Sequence, residues 1–190
     1  YSLLFKAAVR AIAPKVEDRG IDEIYVDLSD NSEETRSLAQ RIKDAVFTAT
    51  GLSCSIGVTP NKLLSKIASD LEKPNGLTIL SLDDVPIRIW PLAAKKVNGI
   101  GPKASERLER HGIRTIGELA ATPQEFLIRK FGRSTGLWMH RIAYGIDDRP
   151  VVTESEPKSI SRETTFERDL HVRQDKPELS EKFTSLCLRV

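Results

Sequence analysis

The sequence predicts an α+β layer, α/β-like in its alternation, then a small all-helical segment and the start of a second α+β unit. Three observations predict it. After a first helix, residues 14–82 alternate between strand-like and helical patterns in the order β-α-β-α-β. From about 83 to 149 only helical patterns remain, separated by short glycine-containing turns. After Pro150 the apolar period is lost until Pro157, and a Ser/Thr-rich alternating run follows.

The elements follow in order. Residues 1–13 have helical spacing, with Leu4, Ala8 and Ile12 on one face and Pro14 just beyond. Residues 21–28 (IDEIYVDL) are rich in β-branched and aromatic side chains, as strands are. Ser29–Asp30–Asn31–Ser32 breaks that strand. Ser32 is placed to N-cap a helix over 33–50, with the stripe Leu38, Ile42 and Val46 and Gly51 at its end. Residues 52–58 (LSCSIGV) read as a second strand. Thr59–Pro60 opens a helix over 61–72, Pro74–Asn75–Gly76 closes it, and 77–80 (LTIL) form a short third strand. In the helical part, segments are expected at 92–97, 104–112, 123–130 and 135–144. Residues 150–157 read as a linker, 158–166 (KSISRETTF) as a strand, and 176–190 as the start of a helix.

Composition excludes several classes. Apolar and charged fractions of 39% and 29% are those of an ordinary soluble domain. No apolar run approaches the roughly 20 residues that span a bilayer, and no signal-peptide pattern opens the chain. Cys54 and Cys187 lack metal-ligand spacing and fit a reducing compartment. A cytoplasmic, membrane-free protein is expected. Charge is uneven: residues 1–92 hold 11 Lys+Arg against 13 Asp+Glu, 93–149 hold 11 against 6, and 150–190 hold 7 against 8. The helical middle is therefore the candidate for a polyanion. The chain opens at Tyr1 inside one helical pattern and stops at Val190 inside another, and so reads as a piece of a longer protein.

Three constellations carry chemistry. Asp22 and Glu23 sit side by side in an apolar run, where burying a carboxylate costs several kcal/mol without a compensating partner. Either they are the wet entry to a strand, or they serve a cation. Carboxylates suit Mg²⁺. Strand neighbours point to opposite faces, so both reach one ion only if the chain turns there, and Arg19–Gly20 could supply the turn. In the helix from Asn61, measured around the axis from Lys62, Lys73 falls about 20° away, Lys66 about 40° away and Asp70 about 80° away. Leu63, Leu64, Ile67, Ala68 and Leu71 span about 100° to about 240° from the same origin. The lysine row is either a solvated face or a set of point charges for phosphates. Last, Val97–Asn98–Gly99–Ile100–Gly101–Pro102–Lys103 lies between a short helical stretch with a basic end and the helix from Ala104. Glycines admit close backbone approach, and a helix start favours a phosphate. This resembles the helix-hairpin-helix module, which grips the DNA backbone without reading bases. A weaker copy lies at 130–136.

Taken in order, Ile21–Asp22–Glu23–Ile24–Tyr25–Val26–Asp27, Ser55–Ile56–Gly57–Val58, Lys66–Ile67–Ala68–Ser69–Asp70 with Lys73–Pro74–Asn75–Gly76, and Gly99–Ile100–Gly101 closely resemble the Y-family DNA polymerases. The branch is that of the bacterial DNA polymerase IV (DinB) enzymes. The resemblance covers essentially the whole chain, and Lys158–Ser159–Ile160–Ser161–Arg162–Glu163–Thr164 looks like the entry to the family's little finger. It implies that residues 1–82 are the later part of the catalytic palm, 83–149 the helix-hairpin-helix thumb, and 158–190 the start of an α+β little finger. Asp22 and Glu23 would be catalytic and metal-binding, two of three acids holding two Mg²⁺ ions in the complete enzyme. Lys73 would contact the triphosphate of the incoming dNTP. Gly99, Ile100, Gly101 and Lys103 would bind the backbone of primer–template DNA. The implied activity is error-prone translesion synthesis: the primer 3′-hydroxyl attacks the α-phosphate in line, at a metal site that offsets the developing charge. The resemblance also implies that the third acid, the fingers, the ribonucleotide gate and the peptide for a sliding clamp lie outside these residues. The chain alone is thus expected to be inactive, and a monomer. The alternative is a non-catalytic, polymerase-like adaptor that only binds DNA; retention of Asp22, Glu23 and Lys73 argues against it.

Overall fold

The structure, a computed structural model, describes residues 1–154, 156 and 159–189. Residues 1–153 form one unit and 154–190 a second.

The first unit opens with α1 (Ser2–Arg10). Its inward side is Lys6 and Val9, with Phe5 and Ile12 half-buried beside them. Leu4, expected on the inner face, is 53% exposed. The helix is rotated because Lys6 is drawn inward: its Nζ donates to both Asp18 carboxylate oxygens and to Gly20 O, the last at 2.6 Å. Asp18 belongs to β1 (Val16–Asp18), which the sequence reading did not contain. β1 pairs antiparallel with β2 (Ile24–Val26), with Glu17 opposite Tyr25. The strand expected over 21–28 is thus three residues long. Residues 19–23 form the loop, closed by a 3.0 Å bond from Arg19 N–H to Glu23 O, and Gly20 turns at φ +137°.

α2 (Thr35–Thr50) starts two residues after the expected start. Glu34, not Ser32, caps it, accepting from the amides of Arg36 and Ser37. Leu38, Ile42 and Val46 are buried as the stripe predicts, and Gly51 ends the helix in the left-handed region. With Val9 and Val16 they make one apolar cluster. β3 (Ile56–Val58) pairs parallel with β4 (Leu77–Ile79), and α3 (Lys62–Leu71) is the crossover between them. The layer therefore contains two two-stranded sheets rather than one continuous sheet. α3 lies directly on β3: a Cβ at Gly57 would stand 2.3 Å from Ser65 O.

Past residue 82 the chain is helical as expected. A π turn (Val85–Ile89) and a 3-10 turn (Ala94–Lys96) precede α4 (Pro102–Glu109), α5 (Ile116–Ala121), α6 (Gln124–Phe131) and α7 (Arg133–Ala143). The helix expected over 92–97 is only that 3-10 turn. Its backbone bonds go elsewhere: Ala94 N–H donates to Arg114 O, and Ile116 N–H donates to Leu92 O. A second apolar cluster joins Leu64, Ile67 and Leu80 to Ile100, Leu108, Leu127 and Met139, so α3 also buries its face in the helical part.

The second unit holds α8 (Lys176–Cys187). The strand expected over 158–166 is absent from residues 159–166. Alternation supplies only half of a strand, and no neighbouring strand of the described residues 154–189 pairs with it. Lys158 and Val190, the limits of the expected little-finger start, lie outside the described residues, as do Ser155 and Pro157 of the expected linker.

A candidate active-site hairpin and nucleic-acid interface

Two lysines of α3, Lys62 and Lys66, pair with acids of the β1–β2 hairpin. Deepest is Lys62, whose Nζ lies 2.7 Å from Glu17 Oε2, with both side chains at most 10% exposed. Glu17 also accepts from the Val152 amide at 2.9 Å. Burial pushes the Glu17 carboxyl up, but the bonds from Lys62 and Val152, with the charges of Lys62 and Arg19, hold it below the ordinary range. The Lys62 ammonium also stands over the Tyr25 ring, 5.6 Å from its centroid. One turn along α3, Lys66 pairs with Glu23 in the hairpin loop. That bond, beyond the opposing effect of burial, raises the Lys66 pKa. At the far end Lys73 pairs with Asp70 at 2.5 Å. Burial pushes Asp70 up, yet Lys73, Lys66 and Lys96 hold it down.

The lysine row is thus neither wholly solvated nor wholly free: each of its three charges faces a carboxylate. Asp22 stands exposed at the loop tip beside Glu23. Asp22 and Glu23 both precede β2, in the loop where Gly20 turns at φ +137°. Their hard oxygens suit Mg²⁺, and two is fewer than a self-sufficient protein cage uses. Among the described residues no group of three His, Cys, Asp or Glu could hold a metal ion.

Lys73 is 57% exposed and opens a tight turn. Its bond to Pro74 is cis, and Asn75 adopts φ +59°. Two fastenings hold the turn to β3: Gly76 N–H donates to Ser55 Oγ at 3.2 Å, and Ile56 N–H donates to Gly76 O at 3.0 Å. A further fastening comes from Lys43 of α2, which sequence reasoning missed along with Glu17. The signal for Lys43 was its place one turn after Ala39, at the edge of the buried face. For Glu17 no local signal exists, because its partner is 45 residues away.

At the second constellation the two glycines differ. Gly99 turns at φ +108°, and a Cβ there would stand 2.8 Å from the Trp138 ring. Gly101 has an ordinary φ of −74°, and a Cβ there would meet nothing within 4 Å. Ile100 between them is buried. Gly101 precedes α4, which has Pro102 in its first turn and no side-chain cap. The amides after Pro102 are therefore open to an outside acceptor, and Lys103 beside them is exposed. The weaker copy is also a two-helix turn, with Gly132 at φ +86° between α6 and α7. Trp90 and Trp138 pack against the core, with Trp90 Nε1 donating to Ala143 O. His111 meets Phe126 edge-to-face, and His140 lies tilted against Tyr144.

Comparison with known proteins places these features in a family context. Residues 2–70 match the impB/mucB/samB family, and residues 95–147 match the DNA polymerase-iota thumb domain. A DNA polymerase IV of Methanoculleus marisnigri is 45% identical over 159 residues, covering 83% of this chain and 44% of the relative. A DNA polymerase IV of Moorella thermoacetica is 40% identical over 166 residues, covering 85% and 41%. The chain therefore spans less than half the length of these relatives. Among solved structures, a Y-family DNA polymerase chimera superposes with a TM-score of 0.82 at 27% identity, over 100% of this chain and 56% of its own. DinB from Sulfolobus solfataricus superposes with a TM-score of 0.65 at 26% identity, over 80% and 48%.

Proposed function

The chain belongs to the Y-family of DNA polymerases, and from that premise we propose that it carries part of the catalytic palm and the DNA-holding thumb of a translesion polymerase. The observation that carries this reading is the loop of residues 19–23. It presents Asp22 and Glu23 beside a helix whose lysines lead to Lys73. A metal-dependent nucleotidyl transfer needs this charge pattern, with carboxylates for Mg²⁺ next to cations for a triphosphate.

Asp22 and Glu23 would hold Mg²⁺, which neutralises charge on the reacting phosphates. Lys73 offsets negative charge on the triphosphate, and its exposure leaves its ammonium within reach of solvent. Lys66 pairs with Glu23 and ties the loop to α3. The uncapped start of α4, with Gly101 and Lys103, holds duplex phosphates regardless of sequence, in a helix-hairpin-helix manner. Residues 159–189 are read as the beginning of the little finger. The palm is read over 1–82 and the thumb over 83–149. dNTP, primer–template DNA and, for the whole polymerase, a sliding clamp are the partners of this reading.

Titration with Mn²⁺ tests the metal site, since the paramagnetic ion broadens nearby amide signals. Broadening confined to residues 20–24, removed by Asp22→Asn, is the expected result. Uniform or absent broadening there sinks the site. The same protein, mixed with primer–template, Mg²⁺ and dNTP, is expected to show no extension, because two acids alone do not complete the site. Measurable extension overturns that part.

A further inference from the structure

We propose that Lys43 is a positioning residue for the triphosphate: it holds the 73–76 turn against β3 and so fixes the direction in which Lys73 extends. The inference rests on the reading of Lys73 as the triphosphate contact.

Lys43 lies on the buried face of α2, 8% exposed, one turn after Ala39 and beside the stripe of Leu38, Ile42 and Val46. A leucine or methionine would fill this place without a buried charge. An ammonium there needs all its donors satisfied. Its Nζ reaches Cys54 O at 2.6 Å, Asn75 Oδ1 at 2.7 Å, Asn75 O at 2.9 Å and Gly76 O at 3.3 Å. All four acceptors are neutral oxygens, so the contact is no ordinary ion pair. The acceptors come from two places only, the lead into β3 and the turn that follows Lys73.

Asn75 is held twice, through its carbonyl and its side chain, at φ +59°. On the other side of the turn, Gly76 sits so near the end of α3 that a Cβ would stand 2.2 Å from Glu72 O. The turn is thus clamped between α2, β3 and α3. Lys73 is the exposed side chain projecting from that clamp, and among the described residues it pairs with Asp70 at the end of α3. A rigid base under a flexible cation lowers the ordering needed when a triphosphate arrives. Lys43 supplies the part of that base that comes from α2.

The test is an amide-resolved magnetic resonance titration of the isotope-labelled 190-residue chain with Mg²⁺·dATP. Shifts at Lys73, Asn75 and Gly76 give the binding curve, and shifts at Gly101 and Lys103 on adding a DNA duplex give an internal control. Lys43→Met is expected to weaken nucleotide binding about tenfold, and Lys43→Arg to recover it to within about threefold. Duplex shifts stay unchanged in both. Asn75→Gly removes one acceptor, tolerates the positive φ and leaves the α2 face intact. It is expected to weaken binding in the same direction, and this gives the answer even if Lys43→Met does not fold. Binding by the parent chain that is unchanged in Lys43→Met, or in Asn75→Gly where Lys43→Met does not fold, overturns the inference alone. Loss of the duplex control together with the nucleotide response also overturns it, since that is a general structural effect. Absence of any response at residues 73–76 in the parent chain overturns the reading of Lys73 and the inference with it.

Discussion

Gly99 and Gly101 are two residues apart and do different work. Gly99 answers to the fold: its backbone is left-handed, and the Trp138 ring fills the space where a side chain would begin. Gly99→Ala is expected to cost about 1–3 kcal/mol, through strain and overpacking, read as a lowered urea midpoint. Gly101 answers to nothing inside the chain, since neither its φ nor its surroundings require glycine. Gly101→Val should leave the urea midpoint within about 0.5 kcal/mol of the parent. It should nonetheless weaken binding of every duplex sequence alike, because it interposes a side chain between the α4 amides and a phosphate. Retained affinity in Gly101→Val, measured at low salt where backbone contacts are strongest, would remove the hairpin from the DNA interface.

At the scale of elements, the β1–β2 hairpin is held to α3 by the buried pair of Lys62 and Glu17. Removing one partner strands the other charge away from water. Lys62→Met alone is therefore expected to destabilise by about 3–5 kcal/mol, while the double variant Lys62→Met, Glu17→Leu recovers most of the loss. A thermodynamic cycle of the four proteins measures the coupling, and additive losses would show that the two charges do not depend on each other. This pair also explains what the sequence could and could not disclose. α3 was readable from its helical periodicity: Leu63, Leu64, Ile67 and Ala68 are all buried as placed. β1 was not, because Val16–Glu17–Asp18 has one apolar residue, and Glu17 becomes buriable only through a lysine far along the chain. The same holds for residues 92–97, whose helical spacing lost to backbone bonds with residues 114–116. Asp22, Glu23 and Lys73 stand out in the sequence as charged residues at motif spacing, but the 19–23 loop that carries the two acids appears only once β1 is known.

Across the unit of residues 1–153, distant segments are joined by carboxylates that the fold holds ionised. Glu17 ties β1 to α3 and to the Val152 amide. Asp147 accepts from the Leu63 amide at the start of α3 and makes a two-point contact with Arg149. The bond from Arg149, against a smaller opposing effect of burial, holds Asp147 below the ordinary carboxylate range, as Lys62 and Val152 do for Glu17. The sign follows from linkage. A carboxyl whose folded pKa is depressed binds fewer protons folded than unfolded, so it contributes stability above its unfolded pKa and loses it as pH falls through the folded one. The ordinary values here are 3.8 for Asp147 and 4.5 for Glu17. The urea midpoint of the chain is therefore expected to hold above about pH 5.5 and to fall progressively as the pH is lowered below it. Asp147→Asn should lower the plateau and flatten the acid limb, since the variant has no proton to take up at that seam. Because Asp147 and Glu17 both end on α3, their protonation loosens the hairpin and the 145–149 segment from the same helix, and the acid transition should be one cooperative step in both fluorescence and circular dichroism. An acid limb of unchanged slope in Asp147→Asn would show that the seam between α3 and residues 145–149 contributes nothing to the pH dependence.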